Sequence, residues 1–302
     1  MPQHKQEPRK VSRRDFVKGA AVGAAALAGA GALAGCSSEA PAELPKKWDE
    51  ETDVVVVGTG FAGLAAAIEA AEAGSSVKVL EKMEVIGGNS SINGGAIAVP
   101  GSPRQAEMGI EDSADLMYQD MLEAGLYLNH RDLARRTAEK ALETWEWTVD
   151  HLGVEYGEGL TKFGGHSVAR SYGTAKGGGA GYVNKELAKA KEVGAEIRTG
   201  CMVTRLLQDP EDGRIKGVQV RDGYTFPDEE SGELKTIKAN KAVVLASGGY
   251  GGDLPMRTVQ DPRLTDEIDC TNHAGATGEM VRVSRMRAGL TPVNCAGVGG
   301  GA

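Results

Sequence analysis

The sequence predicts an α/β fold with a parallel central sheet, and three observations carry that expectation. A β-branched run, Val54 to Val57, passes straight into a glycine-rich turn, a small-residue helix and a second apolar run, Val77 to Leu80. A later apolar run, Ala242 to Ala246, again ends in glycines, Gly248 and Gly249. The 302 residues are 41% hydrophobic, enough for a real core, and include 43 glycines, about twice the ordinary ~7% usage. Those glycines cluster in short runs without a three-residue period, which excludes collagen and places backbone close to a ligand.

Charge and cysteine usage narrow the function. The net charge is −8, and beyond residue 35 the chain holds 28 basic against 40 acidic residues, a body with no footprint for nucleic acid. Cys36, Cys201, Cys270 and Cys295 form neither CxxC nor CxxCH, and no His/Cys/Asp group has ligand spacing. That pattern points away from zinc ribbons, covalent haem and a disulfide framework.

From the N-terminus, residues 12–18 read Ser-Arg-Arg-Asp-Phe-Val-Lys, and a weakly apolar stretch follows from Gly19 to Leu33. It is shorter than the ~20 apolar residues a membrane span needs. The positive start, short apolar core and small exit residues predict a signal peptide over 1–35. Arg13-Arg14 resembles the signal read by the twin-arginine translocase, and Leu33-Ala34-Gly35-Cys36 resembles a lipobox. The expectation is export by the twin-arginine route to the cell envelope, either periplasmic or held at the membrane by a lipid on Cys36; the alternative is a chance cysteine beside a cleavage site. Residues 36–50 read as a flexible linker.

The next element is a complete β-α-β unit. Val54 to Val57 is the kind of run found in a buried parallel strand, Leu64 to Ala73 reads as a helix stopped by Gly74, and Val77 to Leu80 is the second strand. In the turn Gly58-Thr59-Gly60-Phe61-Ala62-Gly63, Gly58 permits the tight bend, Gly60 lets backbone approach a pyrophosphate, and Gly63 lets the helix pack close. The helix N-terminus then offers N–H groups and partial positive charge to phosphates. Glu81 ends the second strand, 21 residues after Gly60, where a carboxylate accepts ribose hydroxyls and repels a 2′-phosphate. The fold class is therefore Rossmann-like, with a dinucleotide site.

Glu81-Lys82 leads into Val85-Ile86-Gly87-Gly88-Asn89-Ser90-Ser91 and then Gly94-Gly95, a loop that a plain NAD domain does not need. Here the sequence resembles the flavoprotein subunits of the fumarate reductase and succinate dehydrogenase superfamily, most of all the soluble flavocytochrome-type branch that reduces fumarate and related unsaturated acids. The resemblance runs from about Asp53 to Gly289. It implies FAD as cofactor, with Ala62, Glu81, Asn89, Gly94 and Gly95 in contact; Gly58, Gly60, Gly63, Lys82, Gly88 and Ser90 complete the expected site. The membrane-complex branch attaches FAD through a histidine near this loop. Residues 53–129 contain no histidine, so the resemblance implies non-covalent FAD.

Further along, residues 112–128 and 132–152 have helical periodicity, with Trp145 and Trp147 as packing residues. Residues 164–170 and 177–181 resemble the family's flavin-proximal loop. Residues 201–207 and 216–221 and the strand at 242–246 are expected to supply a small added sheet and the return to the core. The resemblance implies that backbone at Val203 meets the adenine end, that Ser247 and Gly248 lie beside the cofactor, and that residues 271–279 form a final flavin loop. The family's Gly-Asp-Gly is here Gly278-Glu279-Met280, with a longer acid and a lost glycine. His166 reads as a flavin or substrate contact or as a structural histidine, and Arg170 as an anion partner or a structural ion pair. Tyr172 stands where that branch usually has histidine, so no substrate contact is transferred to it. His273 reads as a backbone-bonding residue, His130 and His151 as surface groups, and residues 228–241 as a solvated hairpin.

The expected organisation is an incomplete FAD-binding domain over 51–290, with a helical insert, and the start of a truncated capping domain at 291–302. In the family the catalytic groups come from the second half of the chain, so the resemblance assigns a catalytic role to no residue of this sequence. The expected activity is reduction of a C=C bond in a small unsaturated acid, fed by an external cytochrome or quinol-linked donor. The alternatives are a 3-oxosteroid-type dehydrogenase of the same superfamily and a lipid-anchored flavin-binding remnant without turnover.

Overall fold

The computed structural model describes residues 44–288. The expected signal peptide over 1–35, Cys36 with the expected lipobox, and the segment 291–302 lie outside the described residues.

The first unit forms as its sequence dictates. Strand β1 (Glu50–Val57), helix α1 (Phe61–Glu72) and strand β2 (Val77–Leu80) follow one another, and β1 pairs in parallel with β2 from Val54↔Val77 to Val57↔Leu80. Helix α1 begins at Phe61, three residues before its apolar periodicity does, because Gly60 takes an extended N-cap conformation and lets the turn itself start the helix. At its other end β1 reaches back to Glu50, and Asp49 accepts a hydrogen bond from the Thr236 N–H at 2.8 Å, so the last residues before the strand are docked on the sheet.

Six strands form one sheet in the order β6-β2-β1-β9-β8-β7, where β6 is Glu196–Arg198, β7 Cys201–Gln208, β8 Ile215–Asp222 and β9 Glu233–Leu245. The β6-β2-β1-β9 half is parallel and the β9-β8-β7 half is an antiparallel meander. The meander joins the main sheet through β9, whose 13 residues pair first with β8 and then with β1. This corrects the expectation of a solvated hairpin over 228–241: within that segment Ile237 and Ala239 are buried. The charges that suggested a solvated surface are matched on neighbouring strands, by Lys235–Asp222 at 2.7 Å, Lys238–Glu51 at 3.4 Å and Lys241–Asp53 at 3.2 Å. Opposite charges facing each other across strands remove the penalty that periodicity alone assigns to them.

A second, three-stranded sheet has the order β3-β5-β4, where β3 is Ala96–Ala98, β4 Tyr156–Thr161 and β5 Ser171–Thr174, segments whose strand character is weak in the sequence. The helical insert is α4 (Ala114–Ala124) and α5 (Arg131–Asp150). The helix expected to run to residue 128 stops at Ala124, and Leu126 and Tyr127 take left-handed backbone, φ 50° and 58°. At its start Ser113 caps the helix through Leu116 N, and Asp112 turns instead to Arg170. Trp145 packs on the rings of Tyr156 and Tyr172, and Trp147 donates to Glu69 at 2.8 Å.

The remaining helices are α2 (Gly88–Ile92), α3 (Pro103–Glu107), α6 (Gly178–Glu192), α7 (Leu254–Gln260) and α8 (Glu279–Ala288). One face of the sheet is covered by α1 and α6, whose Leu64, Ile68, Tyr182 and Val183 pack with Val54, Val56 and Val79. On the other face Met280 and Val283 of α8 pack with Val55, Val57, Val203 and Val220. A sheet buried on both faces explains the unbroken valine run of β1.

Candidate functional site

The C-terminal ends of β1, β2 and β9 open into one cleft of about 270 Å³. Such a crevice beyond the strand ends is where open α/β sheets bind ligands. Its floor is the glycine turn. Gly58 has φ +104°, and a Cβ there would lie 2.5 Å from the Ala246 carbonyl oxygen. A Cβ on Gly63 would lie 2.0 Å from the Gly58 carbonyl oxygen, which is why α1 can start this close to β1. Gly60 gives α1 no side-chain cap, and Ser90 Oγ accepts a hydrogen bond from Phe61 N at 3.1 Å. The positive end of a twelve-residue helix thus faces the cleft.

Glu81 closes β2 and is buried. Its Oε2 accepts hydrogen bonds from Thr59 N (3.2 Å) and Thr59 Oγ1 (2.5 Å), and its Oε1 accepts from Met83 N (3.0 Å). The Thr59 hydroxyl in turn accepts from Gly87 N at 2.9 Å. Thr59 lies between two glycines of the turn, and its spacing in the chain alone assigns it no role. Its hydroxyl side chain was the available signal, but only the fold shows that Glu81 and Gly87 converge on it.

The opposite wall comes from the last loop. Asn89 accepts from His273 N at 2.6 Å and donates to Asn272 Oδ1 at 2.5 Å. Lys82 donates to Thr277 and forms an ion pair with Glu279 at 3.1 Å. Burial pushes the Glu279 carboxyl up, but the Thr277 hydroxyl and the Lys82 ammonium outweigh it and hold the group below its ordinary range. Glu279, whose loop departs from the family pattern, therefore lines the cleft all the same, while Met280, in place of a glycine, fills the core beneath it. Ser247 and Gly248 flank the mouth, and Val203 lines the side wall where the pairing of β7 with β8 slips between Val203 and Arg205.

Of the expected contacts, Gly58, Gly60, Ala62, Glu81, Lys82, Gly88, Asn89, Ser90, Val203, Ser247, Gly248 and Glu279 all line this one cleft. Gly63 lies behind it as the helix-packing residue. Gly94 and Gly95 are not among its lining residues: past the end of α2 the chain turns toward α6, and a Cβ on Gly95 would lie 2.5 Å from the Gly178 carbonyl carbon. The open alternatives also resolve. Arg170 is fully buried in a fork with Asp112 (2.9 Å) and a contact to Asp120 (2.6 Å), so it is a structural ion pair. Tyr172 is buried among aromatic rings, and His273 bonds through its backbone to Asn89 and through Nδ1 to Gly275 N. His166, half-buried in the loop next to Arg170, lies outside the cleft lining.

A floor without side chains, a helix end aimed inward and a buried acid at the second strand tip together fit the pyrophosphate and ribose of FAD. The comparisons agree. Residues 53–295 match the family described as FAD binding domain. The acrylate reductase flavoprotein subunit of Shewanella woodyi is 42% identical over 292 residues, covering 96% of this chain and 56% of that protein. The urocanate reductase of Eggerthella lenta is 37% identical over 238 residues, covering 78% of this chain and 38% of that protein. Among solved structures, the open conformation of a flavocytochrome c3 fumarate reductase superposes with a TM-score of 0.72 at 27% identity, covering 93% of this chain and 44% of that one. This chain thus spans about half the length of the relatives it matches. Sequence match, strand order and cleft lead to one assignment: the chain belongs to the FAD binding domain family, it is similar to flavoproteins of the fumarate-reductase type, and its cofactor is FAD.

Proposed function

We propose that this chain is the flavin-binding portion of an exported reductase that saturates the C=C bond of a small unsaturated carboxylic acid. The observation that carries the reading is the cleft itself, with its glycine floor, inward helix end and buried Glu81, in a chain 42% identical to an acrylate reductase flavoprotein subunit. Gly58, Gly60 and Ala62 would hold the pyrophosphate at the end of α1, Glu81 the adenosine ribose, and Val203 the adenine side. Lys82 and Glu279 would clasp the mouth, and Asn89 would hold the last loop against α2. FAD, when bound, supplies the two-electron chemistry that reduces an activated double bond. The flavin would be held without a covalent link, and a separate cytochrome or quinol-linked protein would deliver the electrons.

The test is stopped-flow reoxidation of the anaerobically reduced complete gene product. Acrylate or fumarate is expected to reoxidise the flavin at least about a hundredfold faster than buffer, a difference of roughly 2.7 kcal/mol in barrier. Flavin reduction by a 3-oxosteroid would favour the dehydrogenase alternative instead, and flavin that binds but exchanges electrons with neither class would leave a binding protein without turnover.

A further inference from the structure

We propose that Thr59 is a positioning residue for adenosine recognition: its hydroxyl, fixed between the Gly87 N–H and Glu81, orients the carboxylate toward the ribose and ties that contact to the loop that opens α2. The inference rests on the FAD reading of the cleft and deepens it. Thr59 is fully buried, in the middle of the glycine turn. The direction of its hydrogen bonds follows from chemistry. An ionised carboxylate only accepts and a backbone N–H only donates. The hydroxyl proton therefore points to Glu81 Oε2, 2.5 Å away, and the hydroxyl oxygen accepts from Gly87 N, 2.9 Å away.

Acceptor bookkeeping then sharpens what Glu81 does. A carboxylate has about four lone-pair sites, two on each oxygen. Thr59 fills both sites of Oε2, through its N–H and its hydroxyl, and Met83 N fills one site of Oε1. One acceptor site remains, on Oε1, so Glu81 reads a single ribose hydroxyl rather than both. Without the Thr59 hydroxyl, Oε2 gains a free site, the carboxylate loses its fixed plane, and Gly87 N is left without its acceptor. Gly87 is the N-cap of α2, the helix that carries Asn89 and Ser90, so the same hydroxyl links the ribose contact to the last loop through His273 and to α1 through Phe61.

The experiment measures binding of ADP, 2′-deoxy-ADP, 3′-deoxy-ADP and FMN to the cofactor-free full chain by calorimetry, for the parent, Thr59→Val and Thr59→Ser. In the parent, one of the two deoxy analogues should bind at least about tenfold more weakly than ADP while the other matches it, as expected for one hydrogen bond to a charged group. Thr59→Val should bind ADP about tenfold more weakly, lose the preference between analogues and bind FMN as the parent does; Thr59→Ser should restore the parental pattern. Should the valine variant not fold, Thr59→Ala removes the same hydroxyl without the added methyl and carries the same expectation. Equal weakening toward ADP and both deoxy analogues would mean a merely structural role and overturn the proposal, as would unchanged discrimination. A parent chain that binds neither FAD nor ADP would instead overturn the reading of the cleft, and this inference with it.

Discussion

Glu186, on the buried face of α6, has a carboxylate oxygen, Oε2, that is enclosed and without a hydrogen-bond partner, and burial pushes its pKa up to about 8 from an ordinary 4.5. Between those two values the unfolded chain has released a proton that the folded chain keeps, so this group makes stability fall as pH rises through the window. Glu186→Gln, which is neutral at every pH, should flatten that dependence and leave the chain more stable at pH 7 by about 3 kcal/mol. Urea unfolding at pH 5 and pH 8 checks this, and an unchanged slope between the two would count against it. Glu279 behaves in the opposite sense: its lowered pKa contributes stability above the ordinary carboxylate range, and that contribution is lost as pH falls through the folded value. At this scale the sequence was informative for Glu81, because its place at a strand tip fixes its surroundings. It could not decide Arg170, whose partners Asp112 and Asp120 lie 58 and 50 residues away in the chain.

The β1-α1-β2 unit was readable because every local signal agrees: a β-branched run, glycines at set spacing, a helix of small residues and a second apolar run. Its tightest joint is Gly63 against the Gly58 carbonyl. Gly63→Ala should push α1 away from β1, lower stability by about 2 kcal/mol and weaken FAD binding, because the helix end and the phosphate floor move apart. Denaturant midpoints paired with flavin fluorescence titration measure both effects; full FAD affinity with lowered stability would separate the helix from the site. Strand β9 was only partly readable. Its last residues look like a buried strand, whereas Lys235, Lys238 and Lys241 imitate a solvated loop until the facing carboxylates are known. The end of α4 was misread because residues 126–128 carry apolar side chains that extend the periodicity, while the backbone at Leu126 and Tyr127 turns left-handed and leaves Leu126 76% exposed.

For the whole molecule, the proposed export is independent of the fold and can be tested apart from it. Replacing Arg13 and Arg14 together with lysine should leave flavin-loaded protein in the cytoplasm, and Cys36→Ser should release exported protein from the membrane fraction. Fractionation with immunoblotting reads both, and export undisturbed by the lysine pair would dismiss the twin-arginine route. By itself the sequence determined the α/β class, the dinucleotide turn, the acid at the second strand tip and the kinship to FAD proteins. All of these are written in contiguous residues, where spacing along the chain is spacing in space. Only the tertiary structure decided that twelve scattered positions share one cleft and that Gly94 and Gly95 stand outside it. It also decided that Arg170 is a structural cation and that Thr59 joins Glu81 to Gly87. Those facts depend on contacts between segments tens of residues apart, and a hydrogen bond or an ion pair exists only once the fold has brought its two ends within about 3 Å.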